Sequence, residues 1–326
     1  MQRKLFNILI FVCAVILGGI YGIGVHRGLN RQPERLVHDG NTNDNEYIDV
    51  RKLSGRIPIK KIDDTLYLRW EITQRDVEKI GDMNSLKELD FYINDSSIDL
   101  SPLADLNNLE KLTISSTHGC TDLDTHSLGE IEQLREITLY ACDFDISFLA
   151  ELPNIEAITL LKCDVDDISV FKDIDTLKVL NVGYINDVDL NYLSNLINLE
   201  EIVITGYNIR NFEGLKNLIN TRRLALCDYD DSRTGDMNML VEMDRLENIF
   251  IAHIKIEDIS PLAELANLRM ITLIDTDISD IEPLTELKNL SSLTIMGNEN
   301  MQIKEQAEKS FIGVETLVSE DIPYPY

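Results

Sequence analysis

The sequence is short of cations. Its 30 Lys and Arg stand against 57 Asp and Glu, a formal charge of −27. Neutralising phosphates takes clustered Lys and Arg, so no nucleic-acid partner is expected. The acidic excess reads as a solvated surface that keeps an elongated protein soluble. A basic partner, or weak calcium binding by exposed carboxylates, is the sharper alternative. Aromatic residues are also scarce, at 6 % with a single Trp, although hydrophobic residues reach 44 %. That share is enough for a sizeable core and too high for disorder. Leu and Ile carry it, which points to many similar aliphatic layers. The five cysteines, Cys13, Cys120, Cys142, Cys163 and Cys227, are odd in number and widely spaced. They fit neither a disulfide framework nor a CxxC metal site. No nucleophile elbow, phosphate loop, HExxH or triad phrase is present, so no enzyme, cofactor or small-molecule substrate is expected.

Charge is missing altogether from one stretch. Leu5 to Val25 reads LFNILIFVCAVILGGIYGIGV and follows Arg3 and Lys4. At 1.5 Å per residue a helix of that length spans roughly 31 Å, about one hydrocarbon core. It exceeds the usual apolar core of a signal peptide and lacks an A-x-A site, so residues 1–26 are expected to form an uncleaved transmembrane helix. Cleavage after Gly24 is the alternative and would leave a secreted protein. Arg27, Arg31 and Arg35 offset Arg3 and Lys4, so the positive-inside rule gives little contrast. The short N-tail favours a single-pass chain in the cell membrane with its later residues outside. Residues 27–61 are polar and without sustained period, and read as a tether.

Beyond the tether one phrase recurs. LKELDFYIN begins at Leu86, and LEKLTISST, LREITLYAC, IEAITLLKC, LKVLNVGYI, LEEIVITGY, TRRLALCDY, LENIFIAHI, LRMITLIDT and LSSLTIMGN follow at steps of 23, 25, 21, 22, 22, 22, 25, 22 and 22 residues. Such self-similarity is the signature of a repeat architecture. The alternation around the fourth and sixth places of each phrase is strand-like, with apolar side chains inward and variable ones outward. A second apolar series follows, best seen in DISPLAELANL from Asp258 and SDIEPLTELKNL from Ser279. Asp or Ser can cap a short helical turn there, and Pro102, Pro261 and Pro283 suit its first position. A single unit cannot bury its own apolar face, so the repeats must stack and pair their strands in parallel about 4.8 Å apart. The expected fold is an α/β solenoid with repeats over 62–313, a further strand at Leu66–Leu68, a short amphipathic helix near 75–80 and a closing strand and cap over 314–326.

These phrases resemble the leucine-rich-repeat family, specifically the 22-residue class seen in internalins of Gram-positive bacteria. The residues that carry the resemblance are LxxLxLxxN at Leu86–Asn94 and Leu290–Asn298 and the DISPL phrase at Asp258–Leu262. It implies a curved horseshoe with a parallel concave sheet, short 3₁₀ or irregular convex segments, and a protein partner held by the concave face. No cell-wall sorting motif or C-terminal adhesion module accompanies the repeats, so surface attachment would fall to the N-terminal helix.

Candidate sites are read against blander explanations. The third, fifth and seventh places of each phrase point away from the core, and there Tyr67, Tyr92, Tyr140, Leu161, Arg223, Phe250 and Met270 are the expected contacts for a protein or glycan ligand. The plain alternative is that strands favour such residues wherever they face. Cys142 and Cys163 share the ninth place of consecutive repeats, which suits a structural ladder more than redox chemistry. His118, Cys120, Asp122, Asp124 and His126 include metal-ligating types, but their spacing matches no zinc pattern. Asp228 to Asp236 resembles a calcium loop only faintly, with its Gly misplaced. Two rivals to a surface binding protein remain: a cytoplasmic-side scaffold or enzyme-regulatory subunit, and a metal-dependent hydrolase centred on His118 to His126.

Overall fold

In the computed structural model, the alternation of the recurring phrase becomes one strand per repeat. The structure describes residues 61–319, apart from 63, 117–120, 164, 166–167, 231–233 and 299. The expected anchor Leu5–Val25 and the tether up to residue 60 lie outside the described residues, all of which belong to one compact unit, Tyr47–Glu320. Among the described residues no helix is long and apolar enough to cross a membrane.

Among the described residues thirteen strands form a single sheet in sequence order. They are β1 (Lys61–Ile62), β2 (Thr65–Glu71), β3 (Glu88–Tyr92), β4 (Lys111–Ser115), β5 (Glu136–Tyr140), β6 (Ala157–Leu161) and β7 (Val179–Asn186). The order continues with β8 (Glu201–Tyr207), β9 (Arg223–Asp228), β10 (Asn248–Ala252), β11 (Met270–Ile274), β12 (Ser292–Met296) and β13 (Glu315–Ser319). From β2 onward neighbours pair in parallel, and the short β1, which the sequence did not announce, folds back antiparallel on β2. Helix α1 (Gln74–Gly81) lies where the amphipathic helix was expected and opens with a capping box, Thr73 N–H donating to Asp76 Oδ2 at 3.0 Å. Helix α2 (Met301–Ser310) replaces the 3₁₀ segment in the last full repeat.

Register explains the core. Each residue faces the same place of the next repeat, so Leu139 lies opposite Ile114 and Leu160. From β3 to β12 the fourth- and sixth-place side chains, Leu89 and Phe91 through Leu293 and Ile295, are at most 2 % exposed. A buried aliphatic side chain contributes about 1.5 to 3 kcal/mol, so this ladder outweighs every polar contact described below. On the opposite side, 3₁₀ turns close the repeats, with Pro in the first turn at Ser101–Asp105, Ser260–Glu264 and Glu282–Glu286. An Asp precedes each and accepts a backbone N–H two residues on: Asp99 from Ser101 at 2.8 Å, Asp258 from Ser260 at 2.8 Å and Asp280 from Glu282 at 2.9 Å. That bond holds the Asp99 and Asp258 carboxyls below their ordinary range.

Two further ladders lock the repeats together. The Asn before the first place donates its side-chain amide to a carbonyl one repeat earlier: Asn108 to Asn84, Asn154 to Glu132, Asn198 to Asp175, Asn220 to Ile197, Asn267 to Asp244 and Asn289 to Ala266, all at 2.7–2.8 Å. At the second place Lys87, Glu110, Arg135, Glu156, Lys178, Glu200, Arg222, Glu247 and Arg269 alternate in sign along the stack. Lys178 reaches Glu156 at 2.8 Å and Arg222 reaches Glu247 at 3.3 Å, while Arg135 also contacts Glu156. Each exposed pair contributes little, roughly 0.2–1 kcal/mol, but a Glu between two cations fits only a correctly ordered stack. Where backbones meet there is no room for a side chain. A Cβ on Gly214 would lie 2.1 Å from the Leu190 carbonyl oxygen.

Candidate binding face of the sheet

The face turned away from the core presents three rows of side chains, one for each outward place. The third-place row runs Glu88, Lys111, Glu136, Ala157, Val179, Glu201, Arg223, Asn248, Met270 and Ser292 across paired strands. The fifth-place row is rich in Thr, and the seventh carries Tyr92, Ser115, Tyr140 and Leu161. Tyr67, Tyr92, Tyr140, Leu161 and Met270 are half-buried on this face, as their places require. Tyr67 donates its hydroxyl to Glu88 at 3.3 Å, and Tyr140 receives Lys162 Nζ at 2.7 Å, with that ammonium 5.1 Å from its own ring centre.

Two of the expected contacts stand differently. Phe250 takes an outward register position, opposite Ala225 and Thr272, yet it is only 3 % exposed. Val203, Cys227, Ala252 and Ile274 are outward and buried too. They occupy adjoining register positions from β8 to β11, where neighbouring side chains crowd one another. Phe250 is therefore not the exposed anchor that its place in the phrase implied. Arg223 is engaged within the chain: its Nε donates to Glu201 at 2.7 Å, with side-chain exposures of 18 % and 7 %. An Arg–carboxylate pair so sheltered organises the surface around it, and a partner must work with the pair and not with a bare guanidinium.

Other candidates resolve into structural roles. Cys142 donates its thiol to the carbonyls of Tyr140 at 3.3 Å and Ile114 at 3.5 Å, and Cys163 donates to Leu139 at 3.5 Å. This is the ladder expected at the ninth place. Asp228, read from sequence as the start of a faint calcium loop, is fully buried. Its Oδ1 accepts the backbone N–H groups of Asn208 at 3.0 Å and Asp230 at 2.9 Å, and its Oδ2 that of Ile209 at 2.8 Å. Burial raises its carboxyl above the ordinary range in spite of those bonds. Both oxygens are occupied by main chain. His118 and Cys120, central to the metal reading, lie outside the described residues; among the described ones no three His, Cys, Asp or Glu are placed to hold a metal ion. A groove of about 430 Å³ runs beside the strand starts, lined by Asn154, Glu156, Thr176, Lys178, Asn198, Glu200, Asn220 and Arg245. Most of these side chains serve the two ladders already described.

The sequence reading missed a group of rings where the strands end. Tyr184 and Tyr229 stack with centroids 6.0 Å apart and planes at 27°, and Tyr207 lies 5.2 Å from Tyr229, tilted by 49°. Burial, then Tyr207 beside it, pushes the Tyr184 hydroxyl well above its ordinary value, so the ring stays neutral. Tyr184 enters through a bulge between Gly183 and Ile185, where its φ is +71°. Tyr207 and Tyr229 sit at the ninth place, which normally turns into the stack. β8 runs straight through that place and β9 to the residue before it, so the alternation carries both rings outward.

Known structures share this architecture. An internalin (inlF) from Listeria monocytogenes matches with 23 % identity over 68 % of this chain and 70 % of its own, at a TM-score of 0.55. An internalin C2 from the same organism matches with 28 % identity over 57 % of this chain and 80 % of its own, at 0.51. A leucine-rich-repeat protein from Leptospira interrogans matches at 13 % identity over 76 % and 80 %, also at 0.51. No protein-family model and no curated protein matches the chain.

Proposed function

We propose that this internalin-like leucine-rich-repeat chain is a binding protein that takes a protein partner on the open face of its sheet. The observation that carries this reading is the outward rows themselves. Strand pairing holds Tyr67, Tyr92, Tyr140, Leu161 and Met270 half-exposed on one continuous platform. Aromatic and aliphatic side chains already fixed by a rigid scaffold lose little entropy on binding, which is what makes interface anchors effective. A long shallow surface also suits a macromolecule better than a small substrate. The uncharged segment Leu5–Val25 supports membrane attachment, and the likeness to internalins supports display outside the cell. The partner is a protein in this reading, with neither metal nor cofactor involved.

Paired substitution tests it. Full-length chain carrying Tyr92→Ser and Tyr140→Ser is expected to capture its partner from native envelope extract at least about tenfold more weakly than the parent, because interface Tyr anchors cost this much or more when removed. Thermal unfolding should barely change, since neither ring belongs to the core ladder. Undiminished capture by the double variant would move the site off this face.

A further inference from the structure

We propose that the tyrosine group at the strand ends, Tyr184, Tyr207 and Tyr229, is the seat for an arginine side chain of a basic segment in the partner. This deepens the reading of the open face as a protein-binding surface and rests on it.

Two observations converge. The first is ring geometry: rings from three consecutive repeats gather at the strand ends, with Tyr184 and Tyr207 centred 6.0 and 5.2 Å from Tyr229. The face of an aromatic ring is electronegative and attracts a cation placed within about 6 Å of its centre. A group held between two rings needs about 7 Å to keep van der Waals distance from both, so the guanidinium lies across the ring faces and is not sandwiched. Arginine suits this better than lysine because its planar, weakly hydrated head stacks on a ring.

The second is charge. Asp228 and Asp230 flank Tyr229, and Asp187 and Asp189 follow Tyr184 closely in the chain. The Asp228 carboxylate also binds the amides of Asn208 and Ile209, immediately after Tyr207. Arg210 pairs with Asp187 and with Asp189, at 3.1 and 2.7 Å. Asp187, Asp189 and Asp230 thus lie close to these tyrosines in the chain, with Arg210 the cation paired among them, on a chain whose total charge is −27. A cationic segment is steered there and an acidic one is repelled.

The test uses full-length chain in detergent and two peptides, acetyl-Gly-Arg-Gly-Arg-Gly-amide and its twin with citrulline, a neutral isostere, in place of arginine. At physiological salt the arginine peptide is expected to bind on the order of tenfold more tightly than the twin. Tyr207→Leu with Tyr229→Leu should lower its affinity several-fold toward that of the twin, although no charge has changed. Tyr207→Phe with Tyr229→Phe should retain it, because the ring and not the hydroxyl holds the cation. Equal binding of the two peptides, or full binding by the leucine variant, overturns the proposal. Should the leucine variant fail to fold, weak binding by the phenylalanine variant or strong binding by the twin still overturns it. None of these results bears on Tyr92 and Tyr140, so failure here and failure of the open-face reading are separately visible.

Discussion

Leu139→Asp is expected to break the stack where it stands. The side chain is fully buried between Ile114 and Leu160, in the row that continues through every repeat from β3 to β12. Losing the leucine alone should cost about 2–5 kcal/mol. An unpaired carboxylate in its place adds several more, because nothing in the aliphatic ladder can solvate it. The sum rivals the whole stability of an ordinary domain, about 5–15 kcal/mol. Repeats touch only their neighbours, so the damage should be local: one unfolding transition becomes two, and amides of β4 to β6 lose hydrogen-exchange protection first. Leu139→Met, which keeps the volume, should cost less than about 1.5 kcal/mol. A single transition for Leu139→Asp, within about 1 kcal/mol of the parent, would mean that residue 139 is not in a continuous core.

Asp228→Ala should have the next largest effect. It strips acceptors from the backbone N–H groups of Asn208, Ile209 and Asp230 at a fully buried place. An unsatisfied buried donor costs about 1–3 kcal/mol, so a loss of about 3 kcal/mol or more is expected in urea unfolding. Asp228→Asn keeps one acceptor oxygen for Asn208 and Asp230 but turns a donor toward Ile209, and should lose roughly half as much. The pH dependence has a definite sign. Burial raises the folded carboxyl above its ordinary 3.8, so the native state holds this proton more tightly than the unfolded chain. Its contribution is complete below the unfolded value and is lost as pH rises through the folded one. Relative to Asp228→Asn, the parent should therefore gain stability as pH falls from neutral toward about 4. A relative loss over that range would show that the three hydrogen bonds outweigh burial.

What was legible in the sequence follows from which interactions are periodic. Leu139, Ile204 and Leu273 recur at one place of one phrase, and a core built by stacking needs nothing else to define it. Cys142 and Cys163 were legible for the same reason, since two consecutive ninth places must do the same job in the turn. The charge alternation from Lys87 to Arg269 was also present in the letters, as a period of two repeats that inspection of one phrase at a time does not reveal. Exposure was harder to read. Register tells which way Phe250 points, but only its neighbours Val203, Cys227 and Ile274 decide whether water reaches that side of the sheet. The tyrosine group was not legible, because a bulge at Tyr184 and straight continuations at Tyr207 and Tyr229 override the consensus turn. Such local departures from a repeat are where a stacked scaffold differs most from its own average.

One experiment bears most directly on the open face as the binding surface. A photo-reactive phenylalanine analogue is placed at Tyr140 on that face, or at the exposed Glu264 in the 3₁₀ turn Ser260–Glu264 on the opposite side of the repeat, in the full chain expressed in its own cells. Illumination should give a discrete protein adduct from position 140 alone, and protease added to intact cells should remove it. Adducts from position 264 with none from 140 would contradict the account.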